Sequence, residues 1–163
     1  MRGSVQKGRL VGVLVLSVGL GPLLGQAQGV ALAQPEIGVN TFTVADHRND
    51  QIHPRISGDL VVWQDYRDIG AHTGDDFNAD IWAKNLAGGD EIKVTDNHTS
   101  SRPAVSGDIV VYADKREGDP NIRGYDVRTD DSFWITRKAD SVQDRPAIDG
   151  NVVVWQDNVF RTI

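Results

Sequence analysis

Three carboxylates, Asp65, Asp114 and Asp157, each stand just after a run of β-branched and aromatic residues. Paired carboxylates can share general acid and base work when their environments push their pKa values apart. These three occupy one and the same place in a recurring pattern, whereas catalysis needs one asymmetric site. The residue type and place predict acceptors for backbone N–H groups in the turn that follows each run. Trp63, Tyr112 and Trp155 lie two residues earlier and are expected to pack between the recurring units; a ring facing an axial channel would instead stack on a sugar.

A second cluster, Asp75, Asp76, Asn78 and Asp80, offers the hard oxygen ligands that calcium takes. Asp76-x-Asn78-x-Asp80 begins like a calcium loop, but Ile81 replaces the expected glycine and Ala87 the closing glutamate, so the sequence favours a solvated acidic loop over a calcium site. His47, His53, His72 and His98 form no i, i+4 pair and there is no cysteine, so zinc is not supported. Asn97-His98-Thr99 matches the short glycosylation acceptor pattern. Neither a Gly-x-Ser-x-Gly elbow, nor a phosphate-cradling glycine loop, nor a sialidase-type Asp-box is present. The expectation is therefore no catalytic residue and no cofactor, with calcium as the one alternative.

The elements that position these residues form a repeat. Pro54 to Asp65 (PRISGDLVVWQD), Pro103 to Asp114 (PAVSGDIVVYAD) and Pro146 to Asp157 (PAIDGNVVVWQD) align without a gap, and their prolines are 49 and 43 residues apart. The downstream halves align too: Asp80-Ile81-Trp82 with Asn121-Ile122-Arg123, and Glu91 to Thr95 with Ser132 to Thr136. Each unit reads as an extended piece, a Ser-Gly-Asp or Asp-Gly-Asn turn, a β-branched strand and two further strands. Leu60–Trp63 and Val152–Trp155 are unbroken apolar runs, which predicts strands buried on both faces of stacked sheets. About four short strands per unit with a period in the forties is the pattern of a propeller blade.

On these residues, roughly Gln51 to Asp157, the chain resembles the TolB-like β-propeller repeats of periplasmic TolB and of many bacterial and archaeal surface proteins. The resemblance implies blades around a central channel and a role in interaction rather than chemistry. The fold class it implies is all-β, an incomplete β-propeller of two full four-stranded blades plus the start of a third. A propeller closes with about four to eight blades, so the expectation is a fragment of a longer protein, or a homo-oligomer in which copies complete the ring.

The remaining organisation follows from composition. Arg2, Lys7 and Arg9 precede an apolar stretch from Leu10 to Leu24 and the small residues Ala31 and Ala33, which predicts a signal peptide over 1–33. Residues 34–50 then form a lead-in strand or linker, and the propeller repeats run over 51–163 as about 51–99, 100–142 and a partial 143–163. Three of the 17 basic residues and none of the 23 acidic ones fall in 1–33, so the remainder carries a net charge of −9. Such a surface disfavours nucleic acid and anionic lipid, and no membrane insertion is expected after signal cleavage. The expected function is an exported, non-catalytic scaffold or binding module, periplasmic or at the cell surface, for a protein or glycan partner. The alternative is the N-terminal propeller part of a longer hydrolase.

Overall fold

The computed structural model describes residues 15–18, 37–70, 74 and 77–159. Most of the signal expected over 1–33 lies outside the described residues, as do His72, Asp75 and Asp76. Among the described residues every regular element is a strand. Two compact units divide the chain, one covering Val11–Val44 and the other running from Ala45. In the first, β1 (Val15–Val18) pairs antiparallel with β2 (Ile37–Asn40), so part of the segment 34–50 is extended.

The second unit holds the repeats. β3 (Gln51–Ser57), β4 (Leu60–Asp65), β5 (Asp80–Asn85) and β6 (Ile92–Lys93) form one antiparallel sheet in that order. β7 (Ser100–Ser106), β8 (Ile109–Asp114), β9 (Asn121–Asp126) and β10 (Asp131–Trp134) form the second, and β11 (Ser141–Asp149) with β12 (Val152–Val159) a two-stranded third. This is an incomplete β-propeller. Each first hairpin turns through a glycine in the left-handed region, Gly58, Gly107 and Gly150 with φ of 54°, 55° and 55°. Two-residue loops between twisted antiparallel strands need positive φ, which glycine adopts without a Cβ penalty.

The blades stack through period-2 faces. Leu60, Val62, Ile81 and Ala83 on the first sheet meet Val105, Val110, Tyr112 and Tyr125 on the second, in one buried cluster. Polar clasps hold the stack in register: Ser57 Oγ accepts the Gly107 N–H at 3.0 Å, and Ser106 Oγ accepts the Gly150 N–H at 3.0 Å. The serine of each turn thus satisfies the backbone of the next blade's turn. Each blade is closed by its threonine, Thr95 accepting the Ile81 N–H at 2.9 Å and Thr136 that of Ile122 at 2.8 Å.

One expectation is corrected. Leu60–Trp63 is buried on both faces, but Val152–Trp155 is not: Val152 is 60% and Val154 59% exposed. The sequences are alike and the surroundings differ, because β4 lies between β3 and β5 whereas β12 pairs with β11 alone among the described residues.

Candidate functional site

β3, β7 and β11 are the first strand of their sheets and an edge strand in each. β7 lies between the other two, so the three run side by side as the inner wall of the propeller arc. Every one of them is broken by a bulge, between Ile52 and Arg55, Ser101 and Ala104, and Asp144 and Ala147. Proline supplies the reason: Pro54, Pro103 and Pro146 have no N–H to give to the ladder. The residue before each proline, within the bulge, adopts a positive φ, His53 at 53°, Arg102 at 50° and Arg145 at 53°. For a residue with a Cβ this costs on the order of 1–2 kcal/mol. Glycine would sit there more cheaply, yet histidine and two arginines occupy the three places.

The bulges turn these side chains onto one groove of about 470 Å³, lined also by Arg55 and by the apolar Ile56, Val105 and Ile148. No Asp or Glu lines it. Asp144 stands beside it on β11, where its carboxylate pairs with the Arg102 guanidinium and lies 3.9 Å from Arg145 Nε. Arg102 is anchored at the backbone as well, its N–H donating to Gln64 Oε1 at 3.0 Å. The Arg55 Nη1 donates to the Pro54 carbonyl at 2.8 Å, and the Arg145 side chain is 63% exposed. The groove is thus cationic in a chain of net charge −6.

Of the described residues singled out by sequence reasoning, His53 lines the groove and the others lie elsewhere; the fold joins Asp80 to His98, while Asp65, Asp114 and Asp157 each make contacts of their own. Asp65 is buried; it accepts the Trp63 indole N–H at 2.8 Å, the Arg67 backbone N–H at 2.8 Å and the Arg67 guanidinium at 2.5 Å. Burial disfavours the charge on Arg67, but hydrogen bonds from its guanidinium to Asp65 and Glu91 outweigh that and raise its pKa. Asp114 repeats the arrangement with the Arg116 N–H at 2.8 Å and the Arg116 Nε at 2.6 Å. Asp157 is more open, held by Lys138 Nζ at 2.9 Å and Ser141 Oγ at 2.7 Å, and these bonds lower its pKa.

Trp63 and Tyr112 are 0% and 1% exposed, so neither offers a ring to a ligand. Trp155, 39% exposed, lines a separate groove of about 440 Å³ with Val111, Phe133 and Val153, between the second and third sheets. Asn78 precedes β5, and Asp80 opens it, buried and bound to Thr95 Oγ1 at 3.2 Å and His98 Nδ1 at 2.9 Å. Asp75 and Asp76 lie outside the described residues, and among those described no group of three or more His, Asp or Glu could hold a metal.

The groove's cations escaped sequence reasoning although their signal was in plain view: a basic residue stands immediately before the repeat's proline in all three units. Nothing in the sequence says that the proline makes a bulge, and without the bulge these side chains have no common direction.

No protein-family model matches the chain, and no curated protein matches it. Among solved structures the chain is similar to the tricorn protease, at 18% identity and a TM-score of 0.50 over 66% of this chain and 11% of that one. It is also similar to TolB from Acinetobacter baumannii, at 19% identity and a TM-score of 0.46 over 78% of this chain and 30% of that one. The chain therefore spans under a third of either protein. These likenesses are to the fold, and the repeats that resemble TolB-like units in sequence do fold as β-propeller blades.

Proposed function

We propose that this chain is a non-catalytic binding module, exported and working at the cell envelope or surface, which seats a protein or glycan partner against its inner strands. The observation that carries the reading is the groove across β3, β7 and β11, where one repeat position supplies a side chain from each of three blades. Its lining sets guanidinium groups and an imidazole beside apolar side chains, which is chemistry suited to recognising a partner. Strained backbone is often found at ligand sites, and here it recurs at the one position that sends a side chain from each blade to the groove.

The test pairs binding with turnover on the full chain. Arrays of glycans and peptides are expected to reveal saturable binding that Ala147→Trp abolishes, since Ala147 is an exposed small residue inside the groove. The same protein is expected to leave ester, peptide, glycoside and phosphate model substrates unchanged. Turnover that one substitution removes would overturn the proposal.

A further inference from the structure

We propose that the inner groove recognises an acidic peptide segment, in which carboxylates alternate with apolar side chains. This rests on the binding-module reading and names its ligand class.

Four observations carry it. His53, Arg55, Arg102 and Arg145 converge on the groove, and no acidic side chain lines it. Among the described residues several other cations are paired with carboxylates, Arg116 with Asp114, Arg137 with Glu117 and Lys138 with Asp157. Arg55 donates to its neighbour's carbonyl, and Arg145 shares the one Asp144 carboxylate with Arg102, at the longer distance of 3.9 Å and with its side chain 63% exposed. Guanidinium groups present fixed pairs of N–H donors that match a carboxylate's two oxygens.

Apolar surface separates the cations. Ile56, 53% exposed, lines the groove together with Val105 and Ile148, so a ligand that fits must offer apolar groups between its charges. A peptide does so; a polyuronate does not. A sugar polymer would also seek a Trp, Tyr or Phe platform, and none of these lines the groove. The net charge of −6 repels an acidic partner from the rest of the surface, which confines docking to the groove.

The Asp144 carboxylate has a positioning role. It ties Arg102 of β7 to β11 and so holds the guanidinium across the groove floor between two blades.

Fluorescence anisotropy on the full 163-residue chain tests the proposal, with a labelled peptide alternating Leu and Glu, the same peptide with Gln for Glu, and oligogalacturonate as competitor. The Glu peptide is expected to bind, to weaken as salt rises, and to outbind the Gln peptide. Arg145→Gln and Arg55→Gln, both at exposed positions, are each expected to weaken it about tenfold, the size of one lost charge-assisted contact. Asp149→Asn, an exposed position outside the groove lining, is expected to change little. Equal binding of the Glu and Gln peptides, or insensitivity to both arginine substitutions, overturns the inference. Stronger binding of oligogalacturonate than of the Glu peptide overturns the peptide in favour of a uronate. A neutral ligand lost on Ala147→Trp but unmoved by Arg145→Gln sinks this inference and leaves the binding module standing.

Discussion

Asp65 and Asp157 occupy the same repeat position, and the structure predicts unequal losses of stability on removing them. Asp65→Ala deletes the acceptor of the Trp63 indole N–H, of the Arg67 backbone N–H and of one guanidinium nitrogen, all at 2.5–2.8 Å. Trp63 is fully buried, so its indole N–H is left without an acceptor at a cost of about 1–3 kcal/mol. The Arg67 guanidinium, stacked 3.8 Å from the Trp82 ring centroid and bonded to Glu91 at 2.6 Å, keeps those partners and loses the other carboxylate. Breaking a buried pair by removing one member costs about 3–5 kcal/mol, and the surviving Glu91 contact puts Asp65→Ala at the lower end, about 3 kcal/mol. With a urea dependence of about 1.5 kcal/mol per molar, the unfolding midpoint drops by about 2 M. Asp157→Ala breaks a bond to the buried Ser141 hydroxyl and an ion pair whose two members are 48% and 32% exposed, so it leaves no buried cation behind and its midpoint shift is expected to be smaller. Urea melts of the two variants, followed by tryptophan fluorescence at constant slope, read the difference. Equal shifts, or an Asp65→Ala shift no larger than that of a surface substitution, would refute the argument that the aspartate's worth is set by the burial of the ion pair it completes.

Three further outcomes are expected. Val111→Ala should destabilise by about 1–3 kcal/mol while Val154→Ala, at the same repeat position, stays within about 0.5 kcal/mol, because the first is fully buried and the second 59% exposed; chemical melts of the pair check it. Ser106→Ala removes the acceptor of the Gly150 N–H, so hydrogen exchange should quicken across β11 and β12 and remain unchanged in β3 to β5. Burial and the hydrogen bond to Asp130 push the Tyr125 hydroxyl from 10.0 up to about 12. A phenol whose pKa is raised by folding stabilises the fold below its unfolded value and loses that contribution as pH rises from about 10 to about 12. Stability should therefore fall over that window, and Tyr125→Phe should flatten the fall; an equal slope in the variant would contradict it.

Much of the fold was legible because the repeat writes its turns and strands in residue types with few alternatives. Ser-Gly-Asp and Asp-Gly-Asn allow a tight hairpin through a left-handed glycine, and Val-Val-Trp or Val-Val-Tyr next to it is extended by preference. Burial was less legible, since it belongs to neighbours and not to the strand. Val62, Val111 and Val154 are one residue type at one repeat position, yet the first two are 0% exposed and the third 59%. The same holds for Trp63 and Trp155, at 0% and 39%. A sequence motif fixes which face a side chain takes, while the next sheet in the stack decides whether that face meets protein or water.

The groove was illegible for a related reason. His53, Arg102 and Arg145 are 49 and 43 residues apart, and each belongs to a different blade. What unites them is a backbone event: the proline that cannot donate, the bulge that accommodates it, and the positive φ that turns the preceding side chain inward. A proline motif reads at first as strand punctuation, and here the punctuation aims the chemistry. The strain is met three times over, at each blade's inner edge. Any fourth blade built on the same Pro-x-Ile/Val-x-Gly pattern would carry its pre-proline side chain to the same wall, which under the proposed binding role would add one more side chain to the ligand's surroundings.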